Sequence, residues 1–220
     1  MEIELRKANL YPSPERPSVD IERFIEGHLR VSLDQHADLE PSVLGLTEFY
    51  VDGPPRILIN RDLSDAIDDD NTPLGVRGRW RATMAHEASH VVMHRVLFEL
   101  SDGQEGLFRV ATAVQPARLM RCLKKGVLFR GPAPADWREV QANMGMAALL
   151  MPKAAFRGAV DAALVRLGIM PEALVGSASM GALAIEMATA CDVSRQAAAI
   201  RLEILGIVRH AGQQVLDQPR

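Results

Sequence analysis

Hydrophobic positions along this chain follow two periods, one typical of helices and one typical of strands. From Ser18, apolar residues recur every three to four positions, and the same spacing returns over residues 79 to about 100. This spacing predicts two helices that each bury one face. Short runs rich in β-branched and aromatic residues flank the turn Asp52-Gly53-Pro54-Pro55 and predict strands over 47–51 and 56–60. The first half of the chain is therefore expected to combine helices with a small β-sheet.

Helical spacing dominates the second half of the chain. Asp136 is positioned to cap a helix that runs to Leu150 and stops before Pro152. Upstream of that helix, 107–114 and 127–130 are candidate strands, and the pattern of 119–125 is ambiguous. After the proline, the alanine-rich sequence predicts three further helices, near 153–167, 179–190 and 194–206.

Together these patterns predict an α+β fold divided into four segments. Residues 1–17, with their several prolines, are expected to form an N-terminal arm, 18–152 an α+β domain, 153–210 a helical subdomain and 211–220 a C-terminal tail. The run 61–71 holds five Asp without the spacing of a calcium-binding loop. We expect that run to be a solvated loop.

Composition limits the expected cellular location of the protein and the classes of partner it can bind. With 48% hydrophobic residues and a formal net charge of −3, the chain can form a core and lacks the basic excess of nucleic-acid-binding proteins. Its first residues lack an apolar signal segment, and no run approaches the roughly 18 apolar residues of a membrane span. Two distant cysteines, Cys122 and Cys191, do not predict a disulfide framework. We expect a cytoplasmic protein with no membrane or direct nucleic-acid partner.

The run His86-Glu87-Ala88-Ser89-His90 falls on the predicted helix of residues 79 to about 100. Residues four apart share one face of a helix, so the imidazoles of His86 and His90 can reach one metal ion, of which zinc is typical. Glu87 is turned by about 100° from His86. There it can take a proton from a zinc-bound water and pass it to a leaving amine. The spacing predicts a hydrolytic zinc site, although two histidines can also fall on one amphipathic helix by chance.

A catalytic zinc site needs a third protein ligand and one open position. Glu139, on the helix that begins near Asp136, is the candidate. Because Asp136 precedes it by three residues, Glu139 can instead be the partner in a capping box. Both interpretations stay open on spacing alone.

Five further polar or aromatic residues are candidates for the site or for the core. His94 can be a fourth ligand or can hydrogen-bond a ligand from outside, and Asn143 can orient the third ligand or simply pack as a helix amide. Tyr50 can donate a hydrogen bond to an oxyanion in the transition state. Trp80 and Trp137 are expected in the core rather than at a substrate platform.

Three separated runs, taken together, resemble one known family. They are TMAHEASHVVMH at 83–94, EVQAN at 139–143 with AALLMP at 147–152, and CDVSRQAA at 191–198. In this order they resemble the zinc helix, the second signature and the following helical segment of the ImmA/IrrE family of zinc metallopeptidases. The resemblance covers most of residues 45–208.

This resemblance implies that Glu139 is the third zinc ligand beside His86 and His90, with one zinc per chain. It implies a zincin-like peptidase domain over 18–152, with the HExxH helix near a small sheet, and a helix-turn-helix-like subdomain over 153–210. It also implies an endopeptidase that cleaves a cognate helix-turn-helix transcriptional repressor, with the glutamate of the HExxH run as general base.

The chain departs from the family's pattern in three places. Ala82 stands where the family usually has an aromatic residue, and Ser89 stands where it usually has glycine. The stretch between His90 and Glu139 is longer than in most relatives. This longer stretch bears on the identity of the substrate more than on zinc binding.

Two other functions are compatible with the sequence. The chain can be a non-catalytic, zinc-containing regulatory module that binds a repressor or a toxin. Residues 190–207 can also form a DNA-binding helix-turn-helix. However, residues 153–220 hold seven basic and six acidic residues, without the excess of Lys and Arg that phosphate contacts require. We expect a structural or protein-docking role for this segment.

Overall fold

A 32-residue helix that packs on a four-stranded sheet organises the first half of the protein. The computed structural model describes residues 1–14, 16–50, 53–67, 71–105, 118–123, 137–170 and 177–208. Over this part of the chain the architecture is mixed α+β, as the hydrophobic periods predict. In chain order the elements are α1 (Glu2–Lys7), α2 (Ile21–Arg23, continued by a π-helical segment Phe24–Leu29), β1 (Ser32–Ala37), β2 (Val43–Phe49), β3 (Arg56–Asn60), α3 (Arg61–Asp65), α4 (Leu74–Glu105), β4 (Arg118–Leu123), α5 (Trp137–Leu150), α6 (Lys153–Leu167), α7 (Ser177–Cys191) and α8 (Arg195–Ile204).

The sheet presents one face to α4. Its strand order is β1-β3-β2-β4, with β1 and β3 parallel and the other two neighbouring pairs antiparallel. Gly45 is paired with Ile59 and Thr47 with Ile57, and because side chains alternate along a strand these four residues share a face. The hydroxyl of Thr47 contacts Glu87 of α4, so this is the face that α4 covers.

One cluster of buried hydrophobic residues joins α4 to the helices of the second half of the chain. The cluster extends without a break across Pro152, where the sequence predicts a boundary between an 18–152 domain and a 153–210 subdomain. That division stays a prediction. Members of the cluster on α4, α6, α7 and α8 that are at most 1% exposed include Met84, Ala88, Phe156, Met187 and Leu202.

Residues 1–17, predicted as an N-terminal arm, begin with helix α1, and their assignment as an arm stays a prediction. Leu5, on α1, is 0% exposed and belongs to the core. A carboxylate oxygen of Glu2 also accepts a hydrogen bond of 2.6 Å from the backbone N–H of Lys153, which satisfies one of the unpaired donors at the start of α6. The prolines after α1 indicate a linker, but a buried leucine and a helix cap hold the segment against the protein.

The acidic run 61–71, predicted as a solvated loop, begins as helix α3. Asn60 caps this helix, because its side chain accepts a hydrogen bond of 3.0 Å from the backbone N–H of Asp62. The buried hydroxyl of Ser64 accepts a hydrogen bond of 3.2 Å from the indole N–H of Trp80 on α4. The high aspartate content favours a loop in the sequence, whereas the cap and the contact with α4 stabilise a helix. The loop prediction is therefore wrong for Arg61–Asp65.

The strands agree only in part with the sequence-based predictions. The strand predicted over 47–51 lies closer to the N-terminus as β2, and the prediction 56–60 matches β3. The ambiguous stretch 119–125 overlaps β4, which begins one residue earlier. No prediction covers β1, because its sequence SLDQHA is mostly polar, as suits a strand that lies at the edge of the sheet among the described residues. The candidate strands 107–114 and 127–130 lie outside the described residues.

The predicted helices are confirmed, with shifts at their ends. α4 extends beyond the predicted 79–100 in both directions, and α5 ends at Leu150 as predicted. Asp136, the predicted cap of α5, lies outside the described residues. Trp80 is 6% exposed, as expected of a core residue, but Trp137 is 71% exposed and its assignment to the core is wrong.

None of the helices in the described ranges has both the length and the apolar character that crossing a bilayer requires. The cytoplasmic location expected from the sequence stays a prediction.

Candidate metal centre

His86 and His90 project from one face of α4, as a spacing of four residues requires. Their Nε2 atoms lie 3.0 Å apart, and the two residues are 1% and 0% exposed. The rings meet edge to face, with centroids 4.7 Å apart. Two imidazole nitrogens therefore face one point inside the protein.

Glu139, in the first turn of α5, brings a carboxylate to the same point. Its two oxygens lie 3.2 Å from Nε2 of His86 and 3.4 Å from Nε2 of His90. The three residues offer ligand atoms that all lie within 4.8 Å of one another. This group can bind a metal ion. Glu139 is its most accessible member, with 32% of its side chain exposed.

The spacing of the three ligand atoms fits a small cation. A tetrahedral zinc ion with bonds of about 2.0–2.1 Å keeps its ligand atoms about 3.3 Å apart, and the separations here are 3.0, 3.2 and 3.4 Å. Two nitrogen lone pairs and a carboxylate at these distances repel one another unless a proton or a metal ion lies between them. Two imidazoles and one carboxylate are also a ligand set that zinc accepts.

Hydrogen bonds on the far side of each ring turn the Nε2 atoms towards the cluster. Nδ1 of His86 lies 3.1 Å from Oδ1 of Asn143. Nδ1 of His90 lies 3.0 Å from Nδ1 of His94, whose Nε2 lies 3.0 Å from Oε1 of Gln141. With the amide oxygen of Asn143 as acceptor, His86 carries its proton on Nδ1 and presents the Nε2 lone pair to the cluster. Such partners are usual for histidines that bind metals.

Burial and close contact shift the pKa values of the cluster. Burial by itself would raise the pKa of Glu139, but hydrogen bonds with His86 and His90 outweigh it and lower that pKa to about 2. Burial lowers the pKa of His90. For His86, burial is outweighed by the hydrogen bond with Glu139 and the negative charges of Glu87 and Glu139, so its pKa is raised. The site thus holds an ionised carboxylate beside two imidazoles, of which His86 is protonated more readily than His90.

Glu87 lies beside the cluster, between α4 and β2. Its side chain is fully buried, and its Oε2 accepts a hydrogen bond of 2.5 Å from the hydroxyl of Thr47. The strand can come this close because position 45 is glycine. A Cβ on Gly45 would lie 2.7 Å from Cγ2 of Thr83 and 2.9 Å from Oε1 of Glu87. The charge of Glu87 still reaches the cluster, where it raises the pKa of His86.

A second glycine lets α5 approach α4 closely. A Cβ on Gly145 would lie 2.7 Å from Oγ and 2.8 Å from Cβ of Ser89, and 2.8 Å from Cε of Met93. The Ser89 hydroxyl donates a hydrogen bond of 2.7 Å to the carbonyl of Ala85 in the preceding turn. Position 89 is where the resembled family usually has glycine. Here the small residue needed for close helix packing is on the facing helix.

The turn that leads into α8 packs against the start of α4. A Cβ on Gly78 would clash with the backbone of Ser194. Nε of Arg81 donates a hydrogen bond of 3.0 Å to the carbonyl of Asp192, and Arg77 forms a 2.7 Å ion pair with the Asp192 carboxylate. These contacts bind the turn before α8 to the helix that carries the histidines.

Helix α8, which would enter DNA if residues 190–207 were a DNA-binding unit, directs one of its arginines inwards. Arg201 is 9% exposed and donates two hydrogen bonds, of 3.0 and 2.7 Å, to the carbonyl of Met151. Such an arginine is engaged with the backbone before any phosphate is present. Arg201 therefore has a structural role, and the structural or protein-docking role of residues 190–207 stays a prediction.

Two predicted supporting residues contact the histidines. His94 hydrogen-bonds His90 and lies outside the three-residue ligand group. Asn143, predicted to orient Glu139, holds the ring of His86. Both residues therefore act on the cluster through an imidazole.

Tyr50 is not brought to the cluster. Its hydroxyl donates a hydrogen bond of 2.5 Å to Glu48, and this contact, with burial, raises the pKa of Tyr50. Because alternate residues of a strand share a face, Glu48 points away from the face of β2 that carries Thr47. Tyr50 pairs with the residue on that other face, so the geometry gives no support to an oxyanion role.

Three residues of the site have no counterpart among the sequence-based predictions. Gly45 and Thr47 lie two residues apart on one face of β2. A glycine and a threonine at this spacing are common in strands, so they only weakly indicate contact with a glutamate elsewhere in the chain. Gln141 lies inside the run EVQAN at 139–143, yet no local pattern indicates its contact with His94. Their roles depend on packing between separate elements.

Neither a scan against protein-family models nor a search of curated proteins finds a match to this chain. The resemblance of its three motifs to the ImmA/IrrE family therefore stays an expectation from the sequence. The geometry of the site carries the functional argument.

Proposed function

We propose that this chain is a zinc-dependent endopeptidase in which His86, His90 and Glu139 hold one zinc ion and Glu87 is the general base. The observation that carries the proposal is the convergence of three ligand atoms from two helices, with separations between 3.0 and 3.4 Å. Zinc is favoured over magnesium or calcium because two of the three ligands are imidazoles, whereas those ions prefer oxygen.

The number of ligands supports a catalytic site rather than a purely structural one. Catalytic zinc is typically held by three protein groups, which leaves one position for water or substrate, whereas structural zinc typically has four. Within the described residues, the ligand group consists of His86, His90 and Glu139. His94, the candidate fourth ligand, has its two ring nitrogens directed at His90 and Gln141.

The proposed mechanism assigns the proton transfers to Glu87. When bound, zinc supplies a Lewis acid that polarises a peptide carbonyl and lowers the pKa of a bound water to about 7. The carboxylate of Glu87 takes the proton released as water attacks the carbonyl carbon, and gives it to the amine nitrogen as the peptide C–N bond breaks. Thr47 holds that carboxylate by a 2.5 Å hydrogen bond, so that the base is oriented before the substrate arrives.

The proposed substrate is a helix-turn-helix transcriptional repressor, cleaved in the cytoplasm. The three ordered motifs that resemble the ImmA/IrrE family support this assignment. A protein substrate also suits the net charge of −3 and the inward-facing Arg201 of α8, neither of which favours DNA as the partner.

A paired measurement of zinc content and cleavage tests the proposal. The wild-type chain is co-expressed with candidate helix-turn-helix repressors, beside Glu87→Gln and the control Glu186→Gln, a half-exposed glutamate paired with Arg166. We expect one zinc per chain in all three proteins. Cleavage should fall by about 10²- to 10⁴-fold only in Glu87→Gln, because it lacks the base. Cleavage by Glu87→Gln at the wild-type rate would refute the mechanism.

One alternative is favoured by a specific observation, the nearly complete burial of His86 and His90. In that alternative the zinc is structural, and the chain is a non-catalytic regulatory module that binds a repressor or a toxin. Glu87→Gln would then leave the biological effect intact, and removal of the metal would unfold the protein. The two functions thus make opposite predictions for the same variant.

A further inference from the structure

A chain of hydrogen bonds leads from the metal ligand His90 to the outer part of α5. Nδ1 of His90 lies 3.0 Å from Nδ1 of His94, and Nε2 of His94 lies 3.0 Å from Oε1 of Gln141. The two histidines are 0% and 1% exposed, whereas Gln141 is exposed. A neutral imidazole has one donor nitrogen and one acceptor nitrogen. The direction of the hydrogen bond at Gln141 therefore sets the direction of every other bond in the chain.

With the amide oxygen of Gln141 facing His94, the chain has the direction that metal binding needs. Nε2–H of His94 donates to that oxygen, so Nδ1 of His94 is an acceptor. Nδ1–H of His90 then donates to His94, and the Nε2 of His90 presents a lone pair to the cluster. This is the arrangement in which the amide oxygen faces the ring, as observed.

If the amide turns over, every bond in the chain reverses. The NH₂ group of Gln141 then donates to His94, which donates from its own Nδ1 to His90. The proton of His90 moves to Nε2, where it faces the Glu139 oxygen 3.4 Å away. In that arrangement the ring donates a hydrogen bond to the carboxylate, and His90 has no lone pair on Nε2 with which to bind a cation.

We propose that Gln141 is a positioning residue whose amide sets, through His94, whether His90 can bind the metal. Among side chains of this size, a glutamine suits both directions because its amide carries an acceptor and a donor. A carboxylate can only accept and an ammonium can only donate. This inference rests on the metal site of the proposed function and adds a residue that influences binding and release of the metal ion.

The first test compares side chains of opposite hydrogen-bonding capacity. Gln141→Glu keeps only the metal-binding direction, and Gln141→Lys keeps only the reverse direction. Each added charge also acts on zinc through space, so the controls are Met144→Glu and Met144→Lys, at a position on the same helix that is 68% exposed. Zinc affinity of each folded protein is measured by competition with a chelating dye.

Each Gln141 variant is compared with the Met144 variant of the same charge. Gln141→Glu should bind zinc more tightly than its control, and Gln141→Lys should bind zinc at least about 10-fold more weakly. A change of this size is usual when a residue that hydrogen-bonds a metal ligand is replaced. Gln141 variants that match their Met144 controls would overturn the inference. A loss of affinity by the same factor in both Gln141 variants would also overturn it, since that indicates only a structural contact.

The second test uses the wild-type protein and does not depend on how any variant folds. Nitrogen-15 NMR of the imidazoles, before and after addition of zinc, shows which ring nitrogen carries the proton. With zinc bound, we expect His94 to carry its proton on Nε2 and His90 to carry its proton on Nδ1. A proton on Nδ1 of His94 in the zinc-bound protein would overturn the inference while leaving the proposed function intact. Failure of the wild type to bind zinc would overturn both.

Discussion

Each imidazole of the site has its two nitrogens in different surroundings. On His86 and His90, Nε2 faces Glu139 while Nδ1 contacts Asn143 and His94 respectively. Such contacts fix the orientation of a ring, so less conformational entropy is lost when a metal binds. At the residue scale, metal binding depends on Asn143 and His94, which orient the rings, as well as on the three groups that would contact the ion.

Thr47→Val should destabilise the protein, because the buried Glu87 carboxylate loses the hydrogen bond from the Thr47 hydroxyl. A hydrogen bond to a charged group contributes about 1.5–3 kcal/mol, and we expect the free energy of unfolding in urea to fall by that amount. Thr47→Ser keeps the hydroxyl and should lose less. Equal stability of the valine and wild-type proteins would contradict the assigned contact.

Zinc affinity should fall as the pH is lowered. Zinc competes with protons for His86, whose pKa is raised from 6.5, so affinity rises with pH through that pKa and levels off above it. Glu139, with a pKa of about 2, stays ionised and adds no pH dependence near neutrality. Chelator competition from about pH 5.5 to 8.5 measures this dependence. Constant affinity over this range would mean that protons and zinc do not share the histidines.

At the scale of elements, the site depends on how closely three elements approach one another. α4 carries the two histidines, β2 reaches Glu87 at Gly45, and α5 reaches Ser89 at Gly145. Each contact is made where a glycine removes a Cβ that would otherwise lie less than 3.0 Å from its neighbour. The elements can be predicted from periodicity, but their separation depends on these small residues.

Gly145→Ala should separate α4 from α5, because the new Cβ would lie 2.8 Å from the Cβ of Ser89. Overpacking of this kind costs about 1–3 kcal/mol, and zinc affinity should fall as well, since Glu139 and Asn143 move with α5. Denaturant unfolding and chelator competition measure the two effects.

The control for this substitution is Gly158→Ala on α6, where a Cβ meets nothing within 4 Å. It should stabilise the helix by about 0.5–1 kcal/mol. Ser89→Gly added to Gly145→Ala should recover part of the lost stability, because it removes the atoms that clash. If both alanine variants had the same effect, the close approach of the helices would not be the cause.

At the scale of the whole molecule, the hydrophobic core is largely separate from the metal ligands. The core cluster joins α4 to α6, α7 and α8 and includes Leu5 from the N-terminal segment. Arg81 adds polar links, with hydrogen bonds to the carbonyls of Asp192 and Val19. Because most residues of this cluster lie on elements that carry none of the three ligands, we expect the fold to be stable without a bound ion.

Removal of zinc should therefore lower the melting temperature without unfolding the protein at 25 °C. A ligand at 100 times its Kd stabilises the native state by about 2.7 kcal/mol, and a chelator removes that contribution. Far-UV circular dichroism should keep its helical signal while the thermal midpoint falls. Complete unfolding on chelation would instead favour the regulatory module with a structural zinc.

The sequence by itself determined the features that depend on neighbouring residues. Periodicity located α4 and α5 with shifts at their ends, and the spacing of four put His86 and His90 on one face of a helix, because 3.6 residues per turn is a local property. Where local signals were weak, as in the polar β1 or the aspartate-rich α3, the prediction was absent or wrong.

Only the tertiary structure decided which distant groups meet at the site. Glu139 could have been a helix cap or a ligand, and the packing of α5 on α4 brings its carboxylate within 3.4 Å of both histidines. Thr47 meets Glu87 across 40 residues of chain, and His94 meets Gln141 across 47. Such contacts depend on packing between elements, which no local pattern encodes. The physical basis of the proposed activity therefore lies in the way a strand and a second helix approach α4.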